Sequence, residues 1–124
     1  MNYGLFMMQS HPPQRSIYDA HQWPLDSLVL ADEFGYDEAW IGEHFTSPWE
    51  PIPSPDIMIA QALMRTKRIK LAPGAHLLPF HHPAELAHRV AYLDHIAQGR
   101  FMFGVGASGL PTDWAMFDVD GANN

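Results

Sequence analysis

Short apolar runs alternate with longer amphipathic stretches along this chain, each change marked by proline or glycine, and that alternation restricts the fold more than any other feature. Asn2 to Met8 form an apolar, aromatic run that the Pro-rich "SHPPQ" ends, as a strand and its loop would. "WPLDSLVLADEFGYD" then brings Leu25, Leu28, Val29, Asp32 and Phe34 close to helical spacing, with Pro24 suited to a first turn and Gly35 to a stop. A second strand runs through Ala39, Trp40 and Ile41. After a proline-rich loop, Ser54-Pro55-Asp56 opens a second helix, "DIMIAQALMRT". "RIKLAPGAHLLP" reads as a third strand that breaks at Pro73-Gly74. A third helix follows between Pro83 and Gly99, and "RFMFGV" is a fourth strand.

Strand, helix, strand, helix, strand, helix, strand predicts a parallel α/β sheet with right-handed crossovers. A closed (β/α)8 TIM barrel takes about 250 residues. Four strands in 124 residues therefore fit the N-terminal half of such a barrel, a single partial-barrel domain over residues 1–124. A free-standing open sheet of four strands is the other solution. A half-barrel leaves its first and last strands with unpaired edges, which favours association.

Composition narrows the function. A formal charge of −7 opposes a nucleic-acid surface or an anionic membrane as partner. With no cysteine there is no thiol chemistry and no Cys-bound zinc, in keeping with a reducing cytoplasm. The start, "MNYGLFMMQSHPP", lacks a basic segment, and no run approaches the roughly 18 apolar residues that span a bilayer. The expectation is a soluble, cytoplasmic protein.

"FGVGASGLP" contains Gly104-Val105-Gly106-Ala107-Ser108-Gly109, which spells the G-x-G-x-x-G of a dinucleotide-binding turn. That fingerprint needs the first strand-to-helix turn and an acidic residue about 20 positions on. Here the turn follows the fourth strand, and 15 residues follow Gly109. The dinucleotide reading therefore fails. The glycines instead let the backbone approach closely at a strand's C-terminal end, where barrels and open α/β sheets bind ligands. The other strand ends are Phe6-Met7-Met8-Gln9, Glu43-His44 and Pro73-Gly74-Ala75-His76. In a parallel sheet they share one mouth.

"ADEFGYDEAWIGEHF" and "LDHIAQGRFMFGVGASGLP", with "YGLFMM" and "KLAPGAHLLPFHHPAELA", resemble the bacterial luciferase-like family of flavin-dependent monooxygenases. The resemblance runs from Asn2 to about Phe117 and covers only the N-terminal portion of a family member. It implies a (β/α)8 barrel that holds reduced FMN at its strand ends and uses O2 to oxygenate an aldehyde, ketone or hydrocarbon. By motif position, Phe6 would line the flavin pocket and Glu43 would lie near the flavin. His44 would be the catalytic base or proton donor. Gly74 and Ala75 match the family's non-proline cis peptide against the flavin ring, and Leu110 matches an apolar flavin contact. Ser108 stands where the family has an Arg for the flavin phosphate, and Phe45 where a second His often follows. The resemblance also implies a separate flavin reductase as partner, and a homo-oligomer through the second and third helices.

Read from the residues alone, His44 is either a polar loop residue or a proton-transfer group. Glu43 could pair with a cation such as Arg15, and Asp113, Asp118 and Asp120 read as solvated. His81, His88 and His95 recur every seven residues, as one face of the third helix would, with Glu85 between them. Ligands on one helix need partners elsewhere, and the expectation is no metal. Two further readings stay open: a non-catalytic half-barrel that self-associates, and an F420-dependent oxidoreductase.

Overall fold

The computed structural model describes residues 1–121. Three strands, β1 (Gly4–Met7), β2 (Glu38–Ile41) and β3 (Lys70–Pro73), form a parallel sheet in the order β1-β2-β3. Gly4, Glu38 and Lys70 lie in register, as do Phe6, Trp40 and Ala72. The intervening crossovers are α1 (Ile17–Glu33) and α2 (Pro55–Arg65). The third strand breaks at Pro73-Gly74, as its sequence implies, and resumes as β4 (His76–Leu77). A 3-10 turn at Leu78–Phe80 leads into α3 (Pro83–Ala97). The fourth strand is not continuous: Phe101 makes a single parallel bridge to Leu71, and β5 (Val105–Gly106) pairs with β4. The turn between them follows the break in the third strand, because each half of one strand can pair only with the matching half of the other. A short helix, α4 (Pro111–Met116), which the sequence reading leaves as loop, comes last.

Because successive strand residues point to opposite faces, the register sorts side chains into two sets. Ala39, Ile41 and Leu71 are fully buried and join Leu25 and Leu28 of α1, Met58, Ile59, Ala62 and Leu63 of α2, and Leu93 and Ala97 of α3 in one core. Phe6, on the other face, is 63% exposed. The helices therefore cover one side of the sheet and leave the other open.

α1 begins well before Pro24. Ser16 caps it, its side-chain oxygen accepting the Asp19 N–H at 3.1 Å while its hydroxyl donates to the Asp19 carboxylate. This reciprocal cap starts the helix at Ile17 and leaves Pro24 buried inside it at the loss of one backbone hydrogen bond. Gly35 and Gly99, both at φ +84°, end α1 and α3 as expected. At the end of α1 the buried Asp32 accepts the backbone N–H groups of Lys67, Arg68 and Ile69 at 2.7 to 2.9 Å. Burial alone would raise its pKa, but these hydrogen bonds and the Arg68 charge outweigh it and lower it. One carboxylate thus ties α1 to the entry of β3.

Asp32→Ala leaves one buried and two part-buried donors without their acceptor and should lower the unfolding free energy by roughly 2–4 kcal/mol, measured by urea titration.

Candidate active site

At the C-terminal ends of the strands, chain direction and close packing bring most of the singled-out residues together. The Gly74–Ala75 peptide is cis. A Cβ on Gly74 would lie 3.0 Å from Trp40 Cβ and 3.1 Å from Phe6 Cε2, so this backbone runs against both aromatic residues. A Cβ on Gly104 would overlap the Pro73 carbonyl oxygen and reach within 2.9 Å of Trp40 Cζ3. A Cβ on Gly106 would come within 3.3 Å of the Ala75 methyl. Close packing thus explains the first two glycines of the G-x-G-x-x-G motif, Gly104 against Trp40 and the Pro73 backbone, and Gly106 against the Ala75 methyl. Phe6, Trp40, Gly74, Ala75, Gly104 and Gly106 form one patch. Ser108 adopts a left-handed backbone, φ +74°, and its hydroxyl accepts the Leu110 N–H at 3.4 Å. Leu110 itself is half-buried at the start of α4.

Glu43 and His44 lie past the end of β2 and part company. Glu43 is 3% exposed and turns inward. Its carboxylate accepts the Leu77 N–H at 2.8 Å and meets His81 Nε2 at 2.9 and 3.0 Å. His76 Nδ1 is 3.8 Å from the same carboxylate. Its partners are therefore histidines and a backbone amide rather than Arg15, which is exposed. His44 stays at one-fifth exposure, its ring between Glu50 at 3.5 Å and Asp113 at 3.7 Å. Asp113 is fully buried and far from the solvated tail residue expected of it. It accepts the Thr46 N–H at 2.8 Å and the Thr46 hydroxyl at 2.5 Å, so α4 fastens the loop that holds His44.

His81 precedes α3 and faces Glu43, whereas His88 and His95 lie exposed on the helix, so the three do not share a helix face. Glu43, His76 and His81 bring ligand atoms within 4.8 Å of one another, close enough for a metal ion. The hydrogen-bond directions oppose that use. Arg89 has only donors, so its Nη2 donates to His81 Nδ1 at 3.1 Å, and His81 Nε2–H must then donate to Glu43. The lone pair a metal needs is occupied by a proton. His76 in turn meets Asp56 of α2, Nε2 to Oδ1 2.9 Å, while Arg89 Nε lies 3.3 Å from the other Asp56 oxygen. Burial would lower the His76 pKa, but pairing with Asp56 and then Glu43 outweighs it and raises the pKa to about 9. Burial would raise that of Glu43, yet His76, the Leu77 N–H and His81 bring it below the ordinary value. The cluster is a set of compensated ions.

From the sequence His76 is placed only at a strand end on the shared mouth, not in a charged cluster, and Asp56, Arg89, His81 as a Glu43 partner and Asp113 as a loop anchor are not singled out. The available signal is a lone His inside an apolar strand, two residues past a glycine that interrupts it.

Four parallel strand positions, with polar and glycine-rich C-terminal ends gathered at one rim, define the N-terminal part of a TIM-type barrel. A profile of luciferase-like monooxygenases matches residues 1–123. The chain is 39% identical to a 4-hydroxyprotoasukamycin monooxygenase of Streptomyces nodosus subsp. asukaensis over 99% of its length, and 43% identical to a 3,6-diketocamphane 1,6-monooxygenase of Pseudomonas putida over 90%. These matches span 33% and 29% of the two relatives, so the chain covers about a third of their length. A structure of the oxygenating constituent of 3,6-diketocamphane monooxygenase from Pseudomonas putida, in complex with FMN, superposes with a TM-score of 0.94 at 40% identity, over 100% of this chain and 34% of that one. The chain belongs to the luciferase-like monooxygenase family. An F420-dependent tetrahydromethanopterin reductase of Methanopyrus kandleri, at 24% identity and a TM-score of 0.70, shares the fold alone.

Gly104→Ala should destabilise the protein by about 2 kcal/mol or more through overpacking, whereas Gly109→Ala, whose Cβ meets nothing within 4 Å, should be near neutral by thermal melting. The pH profile should show two limbs. The His76 contribution is complete below pH 6.5 and is lost as pH rises to about 9, while that of Glu43 is complete above pH 4.5 and fades in acid. The melting midpoint should therefore be highest between 4.5 and 6.5.

Proposed function

We propose that this chain supplies the ring-binding side of an FMN-dependent monooxygenase that oxygenates a small hydrophobic substrate. The observation that carries the reading is the open apolar patch beside the Gly74–Ala75 backbone, with Phe6 63% exposed and Trp40 behind it. A planar aromatic ring needs such a surface: apolar, uncovered, and edged by backbone that no side chain obstructs. Phe6, Gly74, Ala75 and Leu110 would contact the ring, with Ser108 toward the phosphate. Glu43 would lie behind them. Among the described residues no helix is long and apolar enough to cross a membrane.

Reduced FMN, supplied by a separate flavin reductase, provides the activation of O2. The chain's own part is to bind, orient and manage protons. His44, half-buried at the rim between two carboxylates, holds or releases a proton at an imidazole nitrogen near the reacting centre. The apolar patch keeps water from the ring's face. The match to an FMN complex at 40% identity supports FMN over F420, whose users resemble this chain at 24%. The reading includes a cytoplasmic homo-oligomer, and exposed Ile57 and Met64 on α2 and Tyr92 on α3 support association through these helices.

FMN added to the protein should show quenched fluorescence, and Phe6→Ala should weaken that binding about tenfold, some 1.4 kcal/mol. His44→Ala should keep FMN binding within about threefold while substrate oxygenation falls by roughly 10²–10⁴-fold. Absence of flavin binding by this chain, both alone and when supplied with the C-terminal part of a relative's barrel, would reject the reading.

A second reading rests on the uncovered apolar surface, Phe6 on that open face, Phe103 in a groove beside α3, and Val105, all about half-exposed or more. A non-catalytic half-barrel would cover it by self-association. Sedimentation at micromolar concentration separates the two, since self-association without flavin binding favours the second.

A further inference from the structure

His76 has no task in the proton chemistry assigned to His44, yet it is fully buried and set among charges. Every element packed around it presents a group to it. Glu43 beyond β2 lies 3.8 Å from Nδ1, and Asp56 at the start of α2 lies 2.9 Å from Nε2. The His81 ring stands edge-on at 5.5 Å, and the Phe103 ring lies at 5.7 Å. From α3, Arg89 reaches Asp56 and His81, and the exposed Glu85 contacts Arg89 at 3.2 Å.

A histidine that merely fills a core donates to a backbone carbonyl. Both ring nitrogens of His76 instead have carboxylates as near neighbours, without aligned hydrogen bonds. Charge balance gives the reason. Two buried carboxylates, Glu43 and Asp56, face one guanidinium that Glu85 shares. Without a second cation one of the two would be left buried and uncompensated, which is costly. Glu43 would then lose its charge, and with it the strength of its hydrogen bonds to Leu77 N–H and His81.

We propose that His76 is a positioning residue, a buried cation that keeps Glu43 charged and bonded to Leu77, and so fixes the course of residues 74–77 beneath the open patch. Glu43 then acts from behind the backbone as a brace. Only the link to flavin rests on the function proposed above; the brace itself does not.

Nuclear magnetic resonance on the chain tests it directly. Nitrogen-15 imidazole spectra should show both His76 nitrogens protonated at about pH 8, since its pKa is raised to about 9. Asp56→Asn should remove that state and Asp56→Glu, which keeps the charge, should restore it. In His76→Gln, exchange of the Leu77 amide should accelerate at least about tenfold, while the Ile69 amide held by Asp32 keeps its rate. If that variant does not fold, wild-type protein taken past pH 9 should show the same selective loss once intrinsic exchange rates are corrected for.

A singly protonated His76 at pH 7 overturns the proposal, as does an unchanged Leu77 amide or one that accelerates in step with Ile69. FMN titration separates the two claims. Wild-type protein that ignores FMN both alone and with the C-terminal part of a relative's barrel defeats the flavin reading, while the exchange data still judge the brace. Equal FMN affinity in wild type and His76→Gln overturns the link between brace and cofactor.

Discussion

The in-register parallel pairing of β1, β2 and β3 decides everything else in this molecule. With Met7 beside Ile41 and Ile41 beside Pro73, one face of the sheet becomes a continuous apolar layer that three helices cover. The same register leaves Phe6, Trp40 and Ala72 in a row on the opposite face. Side-chain direction has period two, so a slip of one residue in any strand would exchange the faces and place Trp40 under the helices. The register also aligns the strand ends. That alignment lets Gly74 sit against Trp40 and Phe6, and Gly104 against Trp40 and Pro73.

Behind this apolar patch the chain concentrates charge. Glu43, His76, Asp56, His81 and Arg89 come from five separate segments, and nearly every close contact joins opposite signs or a donor to an acceptor. Buried ion pairs seldom add net stability over apolar packing of the same volume. Their use here is directional, because each fixes a segment whose backbone must follow one course. Asp32 does the same at the opposite end of the sheet with three amide hydrogen bonds, and Asp113 does it for the His44 loop. Three buried carboxylates thus set three loop paths that propensity alone leaves undefined.

The strand and helix order, the third-strand break at Pro73-Gly74 and the glycine stops after α1 and α3 were all legible in the sequence. Each rests on local physics: face periodicity, proline's missing donor, or glycine's access to positive φ. Pro24 suits a first turn and so points to a later start for α1, whereas Ser16 and Asp19 form a stronger cap that begins the helix at Ile17. His76 and Asp113 were illegible for another reason. Whether a polar side chain is buried and paired depends on residues that meet it only after folding, such as Asp56 for His76 and Thr46 for Asp113. The spacing of His81, His88 and His95 misled because the helix begins at Pro83 and places His81 outside its period.

Gly4 pairs with Glu38, and Glu38 with Lys70, so each strand docks on the one made just before it, after steps of 34 and 32 residues. Pairing within this sheet can therefore proceed in the direction of synthesis on the ribosome, although the outer edge of β1 stays unpaired. The cost falls on timing. Phe6 and Val105 remain uncovered when these strands have docked, so a nascent polypeptide that reaches this stage displays a sticky half-shell.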